Sequence, residues 1–128
     1  MSKIIEKVKS FEDACSILNI AETLPDFSAI PEELQKPLIA HYKLIIIIMA
    51  LNEGWIADWS NGKWDKWFPW FWFNDDKGSS SSGRFSFLGS VGQLSYSGCG
   101  SRLCLKSEEL ADYAGKQFED LYREYFVV

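Results

Sequence analysis

Histidine and cysteine, the side chains from which many metal sites are built, are scarce in this chain. Its 128 residues include one histidine, His41, and three cysteines, Cys15, Cys99 and Cys104. Structural zinc sites use four such ligands, and beyond Cys99 and Cys104 only Cys15 and His41 could complete one. We therefore expect no bound metal. An odd number of cysteines in a reducing compartment predicts free thiols, packed like small hydrophobic residues.

Clusters of positive charge are also missing. The sequence has 13 lysines and arginines against 18 acidic residues, which gives a formal net charge of -5 at pH 7. The densest basic group is Lys3, Lys7 and Lys9, and acidic residues close by in the sequence offset it. Because neutralising phosphates requires clustered lysine and arginine, we do not expect the protein to bind nucleic acid.

The sequence shows neither a secretion signal nor an apolar run of membrane-spanning length. Residues 1–10 alternate charged and aliphatic side chains, whereas a signal peptide has an apolar segment before its cleavage site. The longest apolar run, residues 44–51, is far shorter than the roughly 20 residues that cross a bilayer. We expect a protein that is cytoplasmic in a bacterial host or associated with a virion, and that has no membrane partner.

The composition predicts one globular domain over residues 1–128. Hydrophobic residues make up 47% of the chain and charged residues 24%. A domain of this length buries about two-thirds of its unfolded surface, so it can fold without disulfides or metal. Residues 74–83 include four consecutive serines, which predicts a flexible hairpin loop.

Two helices are expected in the N-terminal half. Ser10, followed by acidic residues, is a typical N-cap, and it predicts a short helix that ends at Asn19. A longer, central helix is expected over 37–52, starting afresh at Pro37 because proline interrupts a helix, with Gly54 as its C-cap. Its apolar stripe is predicted to consist of Leu38, Tyr42, Ile45, Ile46 and Met49.

The C-terminal half has the pattern of strands followed by a helix. Segments rich in aromatic and β-branched residues predict strands at 67–73, 84–88 and 102–106, with a further short strand at 94–97. Pro69 lacks a backbone donor, so its strand lies at an edge or has a bulge. Ser107 opens a last helix over 107–126. The prediction is an α+β domain: a small antiparallel sheet of three or four strands packed against two main helices, plus a short N-terminal helix.

Aromatic residues are concentrated in one stretch and supply the strongest functional signal. They make up 16% of the chain. All six tryptophans lie between positions 55 and 72: Trp55, Trp59, Trp64, Trp67, Trp70 and Trp72. Indole rings anchor protein interfaces and stack on sugars or bases, but they also fill cores. Alternation along the strand at 67–73 predicts one face with Trp67, Phe71 and Phe73 and another with Phe68, Trp70 and Trp72.

An enzymatic role for a cysteine paired with His41 is a less favoured hypothesis. His41 lies beside Tyr42 on a helix that must pack, and none of the cysteines is surrounded by the glycine pattern of a nucleophile elbow. Pairs of adjacent acidic residues point apart on a regular element, which does not suit acid and base catalysis on one substrate. We therefore assign no catalytic residue and no cofactor, and we expect the protein not to be an enzyme.

Two sequence motifs resemble a known group of proteins. The first is ALNEGW at 50–55, continued by DWSN at 58–61 and WFPWF at 67–71. The second is GSRLC at 100–104, continued by KS, ELA and YAGKQF up to residue 118. Together they resemble small uncharacterised proteins of gut bacteria and of their phages and prophages. The resemblance implies a phage or mobile-element context, in which small acidic proteins often bind a host or virion protein, and it implies no activity.

Two functional hypotheses follow for the tryptophan-rich stretch. The first is a non-enzymatic protein-interaction module that uses the six tryptophans as anchors within a polar rim. The alternative is a carbohydrate-binding module that uses the same tryptophans, for which the available polar side chains are Asp58, Asn61, Asp65 and Asn74. The sequence leaves the identity of the partner and the oligomeric state open.

Overall fold

The structure, a computed structural model, describes residues 4–55, 66–73, 85–93 and 102–126 of the chain. These residues form five helices and two strands. In chain order they are α1 (Ile4–Lys7), α2 (Phe11–Leu18), α3 (Glu32–Asn52), β1 (Lys66–Phe73), β2 (Phe85–Gln93), α4 (Glu108–Gln117) and α5 (Glu119–Phe126). The predicted loop at 74–83 and the predicted strand at 94–97 lie outside the described residues.

Helix α2 begins and ends as the sequence predicts. Ser10 is the N-cap, and its hydroxyl accepts a hydrogen bond from the backbone N–H of Asp13 at 3.1 Å. Asn19 ends the helix in the left-handed conformation, with φ of 58°, which asparagine adopts more readily than most residues. The buried residues Phe11 and Cys15 belong to the core, and α2 packs against α3.

Helix α3 is longer than predicted, because Pro37 does not interrupt it. The helix runs from Glu32 to Asn52 with Pro37 inside, so the expected restart is wrong. Proline removes the hydrogen bond to the carbonyl four residues back, here that of Glu33. Glu33 lies in the exposed first turn, and the burial of the later turns outweighs this local loss. The helix ends at Asn52, as predicted, but its C-cap is Glu53, in the left-handed conformation with φ of 52°, and not Gly54, which follows with a φ of 88°.

The apolar stripe predicted for α3 is not its buried face. Of those five residues only Ile46 is buried, and Met49 is 49% exposed. The side chains that α3 buries deepest are Ala40, Leu44, Ile47, Ile48, Ala50 and Leu51. Because α3 is apolar almost all round, periodicity could not decide which face α2 and α5 would cover.

Helix α3 is the one helix in the described ranges that is long and apolar enough to cross a membrane, judged by length and composition alone. The central helix of a soluble domain meets the same criteria. Here α2 and α5 pack along it, and its buried residues form part of the main hydrophobic core. The packing therefore agrees with the predicted central position of this helix.

The single helix predicted over 107–126 is two helices. Ser107 is the N-cap of α4, as expected, and its hydroxyl accepts from the N–H of Leu110 at 3.2 Å. The helix breaks at Phe118, which is buried, and whose carbonyl accepts hydrogen bonds from Leu121 and Tyr122 at the start of α5. The break lets α4 pack against both strands while α5 packs against α3.

Strands β1 and β2 form an antiparallel ribbon. The pairing runs from Lys66 opposite Gln93 to Phe73 opposite Phe85. The register shifts once, because Trp70 pairs with Gly89 and Phe71 with Phe87, so β2 carries one extra residue as a bulge. The strands predicted at 67–73 and 84–88 are therefore confirmed, and the second extends further than expected.

The third predicted strand, at 102–106, is wrong. Only Leu105 pairs with β1, through reciprocal backbone hydrogen bonds with Trp67 of 3.0 and 2.8 Å. In an antiparallel ladder the next bonded position on β1 would be Pro69, which has no N–H to donate. In the other direction Ser107 already caps α4. The ladder therefore stops after one pair.

These observations correct the predicted fold class. The described residues are mostly helical, and their only sheet has two strands. An α+β fold with three or four strands packed against two main helices is therefore wrong. There are two physical reasons. The expected third strand forms only one residue pair with β1. The central helix α3 packs mainly against other helices and not against the sheet.

Candidate interaction site at the tryptophan strand

The structure places three of the six predicted site tryptophans on one strand. Trp67, Trp70 and Trp72 belong to β1. Trp55 lies just after the end of α3, where it is half-buried and its N–H donates to the carbonyl of Asn52 at 3.0 Å. Trp59 and Trp64 lie outside the described residues. Of the predicted site, the structure therefore describes strand β1 and one further tryptophan, Trp55, which follows the end of α3.

Trp67 has a structural role. Its backbone pairs with Leu105, which is fully buried, and its half-buried side chain packs against the hydrophobic core. Burial of a large aromatic side chain stabilises a small domain by about 2–3 kcal/mol. We therefore expect the loss of the Trp67 side chain to lower the stability of the fold.

Every tryptophan of β1 is paired with a small residue on β2. Trp67 lies opposite Gly92, Trp70 opposite Gly89, and Trp72 opposite Ser86. The phenylalanines of the same strand pair instead with larger residues, Val91, Phe87 and Phe85. Glycine within a strand often marks a place where another group approaches the backbone closely.

The backbone of β1 faces two directions. Trp67 directs its N–H and C=O towards Leu105 and away from β2. Since backbone groups alternate along an antiparallel strand, Pro69, Phe71 and Phe73 direct theirs to the same outer edge. Among the described residues no strand lies along this edge beyond Trp67. Of the two alternatives predicted for Pro69, an edge strand or a bulge, the described residues agree with the first, and the missing N–H of Pro69 faces away from β2.

The side chain of Asn52 hydrogen-bonds to the short segment that contains Leu105, on the side opposite Trp67. Its side chain, 6% exposed, donates from Nδ2 to the carbonyl of Cys104 at 3.1 Å and accepts at Oδ1 from the N–H of Lys106 at 3.0 Å. The amide thus pairs with the backbone as a neighbouring strand would. Next to it, Lys106 forms an ion pair of 3.3 Å with Glu53.

Sequence analysis missed the role of Asn52. An asparagine followed by Glu-Gly at the end of a helix is explained sufficiently by helix termination. Its hydrogen-bond partners lie 52 and 54 residues away in the sequence, and no periodic pattern connects positions that far apart. The only local signal is that the side chain is polar in the last turn of a helix that buries most of its neighbours.

The described cysteines and His41 do not form a nucleophilic site. The His41 ring stacks on Tyr125, with 4.5 Å between ring centroids and 8° between their planes. Cys15 and Cys104 are buried free thiols, as predicted. Burial raises the pKa of the Cys15 thiol, as do the carboxylates of Glu22 and Glu12, whereas a nucleophilic cysteine needs a lowered pKa. Cys99 lies outside the described residues.

Comparisons with known proteins give no relative from which a role could be transferred. No protein family, no curated protein and no solved structure matches this chain. Within the described ranges, no group of three or more histidine, cysteine or acidic side chains could hold a metal ion. The polar residues considered for a sugar site, at positions 58, 61, 65 and 74, lie outside the described residues.

Proposed function

We propose that the protein is a non-enzymatic interaction module of phage or prophage type, which binds a protein partner through the aromatic stretch of residues 55–73. The observation that carries the proposal is the composition and position of β1. From Trp67 to Phe73 the strand has only aromatic residues and one proline. Charged residues are depleted and aromatic residues enriched at the centres of protein interfaces.

The position of α4 supports this proposal. A two-stranded ribbon has two faces, and α4 packs against both β1 and β2. One helix can cover one face of such a ribbon. The strand alternation predicted from the sequence assigns aromatic residues to both faces, and among the described elements α4 and, to a smaller extent, α5 contact the ribbon. A protein partner would cover aromatic surface that these helices leave exposed.

The chemistry of the described residues supports binding rather than catalysis. Cys15 and Cys104 are buried, and burial raises the pKa of the Cys15 thiol, which disfavours the reactive thiolate. His41 is stacked against another aromatic ring. An indole anchor needs neither a nucleophile nor a general base, since its affinity comes from burying a large flat surface.

The experiment that tests the proposal compares how much each tryptophan contributes to the free energy of unfolding. A core tryptophan contributes strongly, whereas a binding tryptophan contributes little. We would substitute Trp67, Trp70 and Trp72 singly with alanine and measure the free energy of unfolding by urea denaturation. Trp67→Ala is the internal reference, and it should cost about 3–5 kcal/mol, as large core truncations do. Trp70→Ala and Trp72→Ala should each cost less than about 1 kcal/mol, because an interface residue contributes mainly to the complex.

The same variants then serve in a binding assay. Immobilised wild-type protein should retain a partner from lysate of a bacterial host, and Trp70→Ala or Trp72→Ala should lose that partner while remaining folded. The proposal is wrong if both substitutions cost as much stability as Trp67→Ala, because these tryptophans would then be core. Saturable quenching of tryptophan fluorescence by a glycan would instead support the carbohydrate-binding hypothesis.

A further inference from the structure

A segment without positive charge connects α2 to α3. This acidic segment, residues 17–35, includes the end of α2, the loop that follows and the first turn of α3. It has neither lysine nor arginine, and its carboxylates, all exposed, are Glu22, Asp26, Glu32 and Glu33. The hydroxyl and the backbone N–H of Ser28 bond to the carboxylate of Asp26 and lower its pKa, so this group is charged at neutral pH.

Neighbouring side chains do not neutralise the acidic segment. Among the described residues, no ion pair includes any of its four carboxylates. The lysine that follows the segment, Lys36, lies 4.0 Å from the carboxylate of Glu124 on α5. The described ranges also contain no group of three or more metal-ligating side chains that could hold a cation. Within these ranges, solvent alone screens the four charges.

The acidic segment also exposes large aliphatic side chains. The described ranges contain six large hydrophobic side chains that are at least 40% exposed, and four of them belong to this segment: Ile17, Ile20, Leu24 and Leu34. Single exposed hydrophobic residues are normal on protein surfaces. Here four of them are interleaved with the four carboxylates in one short stretch. Apolar side chains among charged ones are typical of a protein-binding surface.

The backbone in the middle of the acidic segment is available to a partner. Hydrogen bonds fix the chain on both sides of it. The N–H of Ile20 donates to the carbonyl of Cys15 at 3.0 Å, and the side-chain amide of Gln35 donates to the carbonyl of Ile30 at 2.8 Å. Residues 21–25 between them are exposed, and no described residue forms a hydrogen bond with their backbone. Because both ends are already held, binding here loses less conformational entropy than binding of a free chain would.

We propose that the acidic segment binds a lysine- and arginine-rich segment of another protein. Its cations pair with the carboxylates, and its aliphatic side chains pack on Ile20 and Leu24. Charge complementarity selects this occupant. The rest of the chain has 13 basic and 14 acidic residues, so the acidic segment supplies most of the net charge of -5. A second copy of the chain would bring the same carboxylates together, and nucleic acids and anionic lipid surfaces are themselves negative.

Titration with synthetic peptides, followed by NMR, tests the proposal. The probe is an amphipathic peptide of about 16 leucine and lysine residues. It should shift the amide resonances of residues 17–35 and bind with a Kd below about 100 µM in dilute salt. Salt at about 0.5 M should weaken binding at least about fivefold. Two control peptides, one with serine in place of leucine and one with glutamate in place of lysine, should bind at least about tenfold more weakly.

Two double variants separate this surface from the net charge of the protein. Glu32→Gln/Glu33→Gln removes two exposed carboxylates from the first turn of α3, and Glu108→Gln/Glu109→Gln removes two from the first turn of α4. Both variants change the net charge equally and at equivalent helix positions. The first should weaken binding of the probe at least about threefold, and the second by less than about 1.5-fold. Leu24→Gln, at an exposed loop position, should weaken it at least about threefold and leave Tm unchanged.

The proposal is wrong if the leucine–lysine peptide shows no saturable binding up to about 1 mM. It is also wrong if both double variants weaken binding equally, since the net charge alone would then attract the peptide. Equal binding of the serine peptide would mean that the aliphatic side chains have no role, and would overturn it as well. These three results leave the function proposed for the tryptophan strand unaffected, because the variants alter none of its residues. Shifts confined to residues 66–73 would instead locate the peptide on that strand and overturn the assignment to the acidic segment.

Discussion

Removing the side-chain amide of Asn52 should destabilise the protein strongly. In Asn52→Ala the buried carbonyl of Cys104 and the N–H of Lys106 both lose their hydrogen bond to the side chain of Asn52. A buried polar group left unpaired costs about 1–3 kcal/mol. The bond to Lys106 is only part-buried, so water can replace some of it. We therefore expect the free energy of unfolding to fall by about 2–4 kcal/mol. In a domain of this length each kcal/mol lowers Tm by roughly 3–5 °C.

The variant Asn52→Asp tests the contact of this side chain with the buried carbonyl of Cys104. Aspartate keeps an acceptor for the N–H of Lys106, but it replaces the donor with a carboxylate oxygen facing the carbonyl of Cys104. Burial and that carbonyl should raise the pKa of the new carboxyl above its unfolded value of about 3.9. The folded state then binds the proton more tightly than the unfolded state. The stability gap to wild type should therefore be widest at neutral pH and narrow as the pH falls towards 4.

Urea denaturation followed by circular dichroism measures both effects. Gln117→Ala is the matched control, because the Gln117 amide also donates to a distant carbonyl, that of Lys9 at 3.0 Å, but in an exposed position. It should cost less than about 0.5 kcal/mol. If Asn52→Ala cost no more than this control, the amide would not hold the segment at Leu105. A gap for Asn52→Asp that is constant between pH 4 and 7 would contradict the burial of this side chain against the carbonyl of Cys104.

Three further predictions concern other parts of the fold. Burial raises the pKa of Tyr113, with a smaller contribution from Asp13, and burial also raises the pKa of Tyr122. The free energy of unfolding should therefore fall as the pH rises above the unfolded tyrosine pKa of about 10. In thermal melts from pH 8 to 11, Tyr113→Phe should make the decrease of Tm with pH less steep. Cys15 and Cys104 are buried, so both should react with iodoacetamide at pH 7.5 more than about tenfold more slowly than in urea; labelling as fast as in the unfolded chain would contradict their placement. Gly54 has a φ of 88°, so Gly54→Ala should cost about 1 kcal/mol in urea denaturation although the added methyl group meets nothing, and an unchanged midpoint would rule out the left-handed conformation.

Local signals in the sequence were sufficient for the elements that depend on local chemistry. Ser10 and Ser107 both mark helix starts, because a hydroxyl at the N-cap satisfies a backbone donor within three residues. Pro69 indicated an edge or a bulge, because the loss of a donor is a property of the residue itself. Gly54 marked the end of the central helix to within one residue, since the C-cap is Glu53. Each of these predictions involves residues fewer than five positions apart.

Predictions that depended on distant partners were wrong. The third strand at 102–106 had a suitable composition, but Asn52 occupies one of its edges and Pro69 limits the other. The stripe chosen on α3 was not the buried face, because a helix apolar almost all round does not show which side its neighbours will cover. The structure shows the strand that carries Trp67, Trp70 and Trp72, and the use of these residues for binding stays a prediction.

The most direct test of the proposed binding surface counts the exposed indoles. Protein labelled with fluorotryptophan gives one fluorine NMR resonance per tryptophan, and single Trp→Phe substitutions assign the six. A soluble paramagnetic agent then broadens those that solvent reaches. We expect strong broadening at Trp70 or Trp72 together with at least one neighbouring tryptophan, and weak broadening at half-buried Trp67. Protection of all six in a protein shown to be monomeric would mean that the tryptophans are core, and would contradict the proposed function.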